Sequence, residues 1–491
     1  MLTLMLANTS VACIIYKNYF GNLTAFPHDI PYHVHKIDIR HSRISVIDKI
    51  GPFPWLRSFT FNNMSLIQFP DFSNASDSLL YLYLKSNKIR EITSITPMAR
   101  LKTLDLRSNY LTEMPDLSNI SLSLEALMLS GNEIIWIESF PWMPTLRIMN
   151  CDKNDLLEFP NFLNMSSSLT ELTISEQSFS KIVTLTKLPK LEYFVVGGYK
   201  FREFPDLTNV SSTLVEFRLK YSKVQLVSYL PKMYKLMRFI LSYNQLNEFP
   251  DLTNASSTLE ELDLAHNNLE TVGFLSHVRF LRILILSENK LTEFPDLANV
   301  GTTLQRLELF SNYIRYIPEG LMMSLKMLNY LDLRENPLLS LPGLCHLNNT
   351  IELLLSESSL NCGWKMAFYK VMESAGNILF PQASPHCDLP ANLANKDWKS
   401  ITTMDLIDGG GFLTEVDGVR KFQRLKSMTW GCPLMIDTII YNISVLSCGR
   451  LCGERPTCLM FATDQQRCIL TNHQVGSDDI FSIYSKWYVR I

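Results

Sequence analysis

An eleven-residue pattern, L-x-x-L-x-L-x-x-N-x-L, recurs along most of the 491-residue chain. Up to residue 304 its copies are spaced alternately 22 and 23 residues apart, so the true unit is a 45-residue pair of unlike repeats. Such a chain is predicted to fold as a repeat array, because each repeat can bury its apolar face only against its neighbours. The copies start at Val34, Leu56, Leu79, Leu101, Leu124, Leu146, Leu169, Leu191, Leu214, Leu236, Leu259, Leu281, Leu304, Leu328 and, in degenerate form, Thr350.

Each copy is predicted to contribute one short strand. Alternating leucines such as Leu104 and Leu106 lie on one face of a strand and are expected to be buried, and the residues between them face solvent. Neighbouring strands can then pair into a long parallel sheet. Asparagine at the ninth position suits a tight turn because its side chain can bond to nearby backbone. It recurs at Asn87, Asn109, Asn132, Asn154, Asn244, Asn267, Asn289 and Asn312.

The segments LKTLDLRSNYL, at 101–111, and LEELDLAHNNL, at 259–269, resemble the motif of the leucine-rich repeat family almost letter for letter. The resemblance covers residues 34–361. It implies an α/β repeat solenoid of about 15 repeats, with a curved parallel sheet and a cap at each end. Ectodomains of this family bind protein ligands, pathogen molecules or matrix components, so the resemblance also implies recognition.

Sequons for N-glycosylation favour an extracellular protein. Five of them share one loop position at intervals of 45 residues, and we expect them to place a row of glycans opposite the strands: Asn74, Asn119, Asn164, Asn209 and Asn254. Others lie outside this register, at Asn8, Asn22, Asn63, Asn348 and Asn442. The alternative is that duplication copied a loop in which asparagine only suits the turn. The sixth register copy, at Asn299, lacks the acceptor hydroxyl.

The cysteines favour the same compartment, since all of the ten except Cys151 lie outside the regular repeats or at their end. Cys151 occupies an inward strand position and is interpreted as a buried thiol. Residues 362–408 resemble the C-terminal cap of extracellular leucine-rich repeats. Trp364 stands where that cap usually has its second cysteine, and one cysteine pair is missing. The resemblance implies a disulfide between Cys362 and Cys387.

At the other end, residues 1–33 resemble the closing half of an N-terminal cap, with Val11, Cys13 and Pro31 at matching positions. The cysteines that normally precede this point are absent, so we expect the sequence to be incomplete at its start. The alternative is a poor signal peptide over residues 1–12.

A glycine run at 409–411 is predicted to be a flexible linker. Residues 412–491 then resemble the PAN/apple domain, a small α+β unit held by disulfides. The resemblance implies bonds between Cys448 and Cys468 and between Cys452 and Cys458. A zinc site is the alternative, although paired C-x-x-C knuckles are absent. The pairing of the remaining cysteines stays open: Cys13, Cys345 and Cys432.

Several functional classes are not expected. The net charge of -3 and the lack of a dense basic run disfavour nucleic acid and anionic membranes as partners. No apolar stretch approaches the roughly 20 residues that a membrane span requires. Phosphate-binding loops, nucleophile elbows, zinc-protease motifs and dinucleotide fingerprints are also absent. We therefore expect no enzyme activity, no catalytic residue, no cofactor and no metal site.

The solvent-side strand positions are the predicted ligand site, because they form a rigid, extended surface that the curvature of such solenoids makes concave. Aromatic and arginine residues dominate these positions, and both types are enriched in interface hot spots. The alternative is that strands simply favour tyrosine. The candidate residues are Tyr81, Tyr83, Lys85, Tyr193, Arg218, Lys220, Tyr221, Arg238, Tyr243, Phe310, Tyr330 and Arg334.

Together these features predict an extracellular, non-enzymatic recognition or adhesion protein, of an innate-immune type, that binds a protein or carbohydrate ligand. It would be secreted or the ectodomain of a cell-surface protein; its oligomeric state is open. One alternative is a structural component of the extracellular matrix. Another is an intracellular scaffold of the phosphatase-regulator type, which the shorter repeat LYLKSNKIREI resembles.

Overall fold

The computed structural model describes residues 15–18 and 23–341, apart from 166, 184, 256 and 323, and shorter segments beyond. Contacts divide the chain into two compact units, residues 1–259 and residues 260–491. The division falls inside the repeat array, so the predicted limits of the caps, the linker and the C-terminal domain stay predictions. The shorter described segments are 344, 350–355, 360–361, 366, 369, 373, 376, 378–380, 387–389, 393–394, 396, 398–401, 413–416, 419–422, 436–441, 460–464, 467–471 and 487–489.

The first unit contains one parallel sheet in which consecutive strands are neighbours. Each strand from β2 onward belongs to one copy of the repeat. The strands are β1 (Ile15–Asn18), β2 (Lys36–Arg40), β3 (Ser58–Asn62), β4 (Tyr81–Tyr83), β5 (Thr103–Asp105), β6 (Ala126–Met128), β7 (Ile148–Asn150), β8 (Glu171–Ile174), β9 (Tyr193–Val196), β10 (Glu216–Leu219) and β11 (Arg238–Ile240).

The second unit continues the repeat with further parallel strands. These are β12 (Glu261–Asp263), β13 (Ile283–Ile285), β14 (Arg306–Glu308), β15 (Tyr330–Asp332), β16 (Ile351–Leu354) and β18 (Ile378–Leu379). Counted over both units, the repeat strands from β2 to β16 give about 15 turns of β-solenoid, as predicted.

The remaining described strands of the second unit form three small sheets. A parallel pair joins β17 (Leu360–Asn361) to β19 (Cys387–Leu389). An antiparallel pair joins β20 (Leu413–Val416) to β21 (Val419–Phe422). The third is an antiparallel sheet in the order β22, β24, β23, β25. Its strands are β22 (Ile436–Tyr441), β23 (Met460–Asp464), β24 (Arg467–Thr471) and β25 (Trp487–Val489).

The repeat motif supplies the core of each turn. Leu101, Leu104 and Leu106 have no exposed surface, and the corresponding residues of the neighbouring copies are equally buried. Phenylalanines reinforce the stacking, because the Phe217 ring lies 5.6 Å from that of Phe194 and 6.0 Å from that of Phe239. Stability therefore arises from contacts between successive turns, as expected of a repeat array.

The ninth-position asparagines make the side-chain to backbone bonds that the sequence predicts, and they also reach the preceding turn. Asn109 donates from Nδ2 to the carbonyls of Leu106, in its own turn, and Leu84, in the turn before, each at 3.0 Å. Its Oδ1 accepts a hydrogen bond from the backbone N–H of Ile89 at 3.1 Å. Each such asparagine thus satisfies backbone groups that would otherwise be buried without partners.

The connecting segments differ from the predicted α/β architecture. They consist mainly of turns and short 3-10 helices, at Leu163–Met165, Thr208–Val210, Ala298–Val300 and Trp398–Ser400, with one α-helix, Glu319–Met322, among the described elements. A repeat of 22 or 23 residues explains the difference. After the eleven-residue motif too few residues remain to cross the core, turn and return with a longer helix.

Candidate functional site

The solvent-side residues of the parallel strands, with those that follow each strand, form a surface in each unit that we call the strand face. All twelve candidate ligand-binding residues lie on it, and each is exposed or half-buried. Most alternate with the buried leucines. Tyr221 and Tyr243 instead occupy the position just before the ninth residue of their repeats. The structure places these side chains but does not test their role in binding, which stays a prediction.

One group lies near the start of the first unit. Tyr81 and Tyr83 belong to β4, and strand register places them beside Thr103 and Asp105 of β5. Tyr81 is exposed, while burial raises the pKa of the half-buried Tyr83, so that its phenol stays neutral. The backbone N–H of Lys85 donates to Oδ1 of Asn62 at 2.9 Å. This bond joins the residue after β4 to the neighbouring strand β3.

A second group, the central cluster, surrounds β10 and β11. The carboxylate of Glu216 is almost buried and accepts hydrogen bonds from both Arg218 and Arg238. Register puts Glu216 directly between Tyr193 and Arg238. One buried carboxylate thus holds two half-exposed guanidinium groups at fixed positions.

The two remaining tyrosines of the central cluster stack on each other. Tyr221 and Tyr243 follow β10 and β11 and have φ angles of 51° and 60°. Their ring centroids are 4.6 Å apart with an interplanar angle of 30°. Both side chains are exposed in this left-handed conformation. The pair forms an exposed aromatic stack directly after β10 and β11.

The third group lies in the second unit. The guanidinium of Arg334 lies 5.1 Å from the ring centroid of Phe310, and that of Arg306 lies 3.6 Å from the ring centroid of Tyr330. Hydrogen bonds to Asp332 raise the pKa of Arg334, and burial raises that of Tyr330. These contacts fix another patch of aromatic and arginine side chains.

Several face residues that position the others were missed from the sequence: Asp105, Arg107, Glu216, Arg306, Glu308 and Asp332. Each belongs to a pair of opposite charges two residues apart, within a strand or at its end, such as Arg107 with Asp105 at 2.7 Å. Two residues of opposite charge at i and i+2 share one face of a strand. That spacing is visible in the sequence and could have identified the pairs.

The five sequon asparagines that share one loop position are exposed. Each also donates from Nδ2 to a backbone carbonyl of the turn before, as Asn119 does to Ile95 at 2.9 Å. An amide nitrogen carries two hydrogens, so this bond leaves one for a sugar. The bond also gives the asparagine a structural reason to be there. Asn63 is exposed, whereas Asn8, Asn22, Asn348 and Asn442 lie outside the described residues.

The predicted disulfides are only partly within the described residues. Cys387 is fully buried and disulfide-bonded. It lies opposite Leu360 in the β17–β19 pair, and Leu360 precedes Cys362 by two residues in the sequence. Cys468 lies in β24. The other predicted members, Cys362, Cys448, Cys452 and Cys458, lie outside the described residues, so all three pairings stay predictions.

Comparison with known proteins agrees with this geometry. Residues 279–338 match a family model described as leucine rich repeat. The structure is similar to that of a leucine-rich repeat protein of Leptospira interrogans, with a TM-score of 0.54 and 21% identity over 73% of this chain and 93% of that chain. The chain has the leucine-rich repeat fold.

A leucine-rich repeat fold is a common protein-binding scaffold, and its face here is built from the paired side chains described above. An internalin, InlF, of Listeria monocytogenes is also similar, with a TM-score of 0.43 and 19% identity over 67% of this chain and 82% of that chain. A search of curated protein sequences found no match.

Neither a metal site nor a membrane-spanning helix is found in the described part of the chain. No three histidine, cysteine, aspartate or glutamate residues within it are grouped so that they could hold a metal ion. Nor does any helix described there have the length and apolar character to cross a membrane.

Proposed function

We propose that this chain is a non-enzymatic recognition protein that binds a protein partner through its strand face. The observation that carries the proposal is the central cluster. There, Glu216 fixes Arg218 and Arg238 beside the stacked rings of Tyr221 and Tyr243. Tyrosine and arginine account for a large share of binding energy at protein interfaces.

The contacts within the cluster favour binding in a second way. Ordering a long side chain on association costs about 0.5–1.5 kcal/mol for each chain immobilised. Ion pairs and ring stacking already restrict Arg218, Arg238 and the two tyrosines before a partner arrives. A partner would therefore meet side chains that have lost much of this freedom.

We further propose an extracellular, adhesion or innate-immune setting, with a PAN/apple-like C-terminal domain and with carbohydrate as a second class of ligand. The exposed sequons and the placement of the cysteines support this setting. The turn-to-turn hydrogen bonds of the sequon asparagines support the structural explanation of those residues equally well. Only chemical analysis of the secreted chain separates the two.

The test is a screen of the full chain against an array of recombinant extracellular domains, followed by binding measurements on variants. We expect the double variant Tyr221→Ala/Tyr243→Ala, or Tyr81→Ala/Tyr83→Ala, to weaken a specific partner by at least about tenfold. Tyr229→Ala/Tyr234→Ala is the matched control. Its tyrosines are more exposed than those of the test variants and lie on the segment that connects β10 to β11.

Partners that bind both strand-face variants normally and lose affinity for the control variant would contradict the proposal. Circular dichroism of each variant checks that its fold is unchanged.

A further inference from the structure

Charge is distributed unevenly along the strand face of the first unit. We call one part of it the basic zone. The zone consists of the solvent-side positions of each strand, with the three residues that follow that strand's last solvent-side position, in the repeats that start at residues 191, 214 and 236. It holds five cations, Lys200, Arg218, Lys220, Lys223 and Arg238, and a single carboxylate, that of Glu216. The whole chain, in contrast, has a net charge of -3.

The two preceding repeats, which start at residues 146 and 169, carry the opposite sign at the same positions. Their charged residues are Asp152, Lys153, Asp155, Glu171 and Glu176. The one cation among them, Lys153, is paired with Glu176 at 3.5 Å. An acidic zone therefore borders the basic zone on its N-terminal side.

Two buried glycines lie at the edge of the basic zone. Gly197 has a φ of 148°, and a Cβ there would lie 2.3 Å from the carbonyl oxygen of Lys220. The neighbouring Gly198 is equally confined, since its Cβ would lie 2.3 Å from the carbonyl oxygen of Gln177. A side chain at either position would collide with the backbone of a neighbouring turn, so the turns approach each other closely at the edge of the basic zone.

We propose that the basic zone binds a short acidic segment of the protein partner, with its aspartate or glutamate carboxylates on Arg218, Arg238 and Lys220. This inference rests on the proposed function and names the chemistry of its partner. Guanidinium groups bind carboxylates through two parallel hydrogen bonds. The stacked tyrosines offer apolar surface to the peptide between its charges.

The size of the zone selects a peptide over a longer polyanion. Three neighbouring strands span about 10 Å, and alternate side chains of an extended peptide are about 7 Å apart, so two or three carboxylates fit. A nucleic acid or sulfated polysaccharide that continued along the face would meet the carboxylates of the acidic zone. Repulsion there limits binding to a short segment.

The inference is tested by fluorescence anisotropy with a labelled ten-residue peptide of alternating glutamate and glycine, at about 50 mM salt, where charge interactions are only weakly screened. A glutamine–glycine peptide, a ten-nucleotide single strand and a heparin-derived hexasaccharide are the comparison probes. The test variant is Lys220→Gln/Lys223→Gln. The control variant is Lys181→Gln/Lys187→Gln, whose exposed lysines lie on the segment that connects β8 to β9.

We expect the glutamate peptide to bind, the glutamine peptide not to bind, and the test variant to weaken binding at least fivefold while the control variant does not. An absence of binding, or equal affinity for the two peptides, would overturn the inference. So would tighter binding of either comparison polyanion with the same lysine dependence.

A partner from the array that loses affinity for Tyr221→Ala/Tyr243→Ala but binds Lys220→Gln/Lys223→Gln normally would overturn the acidic-segment inference alone and leave strand-face binding intact.

Discussion

The side chain of Asn109 shows how one residue joins two turns of the array. It is almost fully buried and bonds to four backbone groups, two of them outside its own turn. At the equivalent position of another repeat, Gln177 makes the same kind of contacts, with the carbonyls of Cys151 and Ser175 and the N–H of Leu156. A buried primary amide of either length can therefore join the two turns.

The first prediction concerns this amide. Asn109→Ala leaves buried backbone donors and acceptors without partners, and we expect the free energy of unfolding to fall by about 3 kcal/mol. Urea denaturation followed by circular dichroism measures the change. Thr112→Ala, at an exposed neighbouring position, serves as control and should change stability by less than about 0.5 kcal/mol. Similar values for both variants would show that the amide does not hold the turns together.

A second prediction concerns Cys151, which is fully buried at an inward strand position. Burial, with a smaller effect of the neighbouring Asp152, raises the pKa of its thiol to about 12. Only the thiolate reacts with alkylating reagents, so Cys151 should resist iodoacetamide at pH 8 in the folded protein and react once urea unfolds it. Peptide mass spectrometry measures the extent of modification, and rapid labelling of the native chain at this residue would contradict the prediction.

At the scale of elements, the connecting segments contain a recurring turn. The carboxylate of Asp116 accepts hydrogen bonds from the hydroxyl and backbone N–H of Ser118, at 2.6 and 2.9 Å. These bonds lower the pKa of Asp116, and Asp71 and Asp206, with their own Ser73 and Thr208, show the same effect. The side chain thus caps the start of the next turn.

The third prediction follows from these pKa values. A carboxylate whose folded pKa lies below its ordinary value of 3.8 stabilises the fold above that pH, and the stabilisation is lost as the pH falls through the folded pKa. Asp116→Asn should therefore be less stable than the original chain at pH 7, and the difference should shrink towards pH 2. Thermal unfolding across this range tests the prediction, and a difference independent of pH would contradict it.

The sequence predicts the repeated elements well because their spacing follows from burial. Leu104 and Leu106 could be assigned to the core from alternation alone. Less predictable was the residue before most of the ninth positions, which has a positive φ although it is often neither glycine nor asparagine, as at Ser86 and Glu176. Hydrogen bonding with the next turn imposes that conformation on the residue. Likewise, β1 pairs with β2, and no repeat motif indicated this strand.

The candidate site was predictable in part. The alternation that identified the core also identified the outward residues, so Tyr81 and Arg218 could be placed on the strand face. The bridging role of Glu216 could not be predicted, because its contact with Arg238 depends on register between strands 22 residues apart. The stacking of Tyr221 on Tyr243 depends on the same register.

At the scale of the whole molecule, the fourth prediction concerns the compartment. The full chain, secreted from eukaryotic cells behind a supplied signal peptide, should lose several glycan masses on enzymatic deglycosylation, and most of its cysteines should become alkylatable only after reduction. Intact mass spectrometry measures both. An unglycosylated chain with free thiols would contradict the extracellular setting and favour an intracellular scaffold.

The central claim is that a protein partner binds the strand face, and hydrogen exchange of the full chain with and without the bound partner tests it most directly. The account predicts slower amide exchange on binding in β9, β10, β11 and the residues that follow them, which include Tyr221 and Tyr243. Exchange around the exposed asparagines of the connecting segments, such as Asn209, should not change. Protection confined to those connecting segments, with the strands unaffected, would contradict the claim.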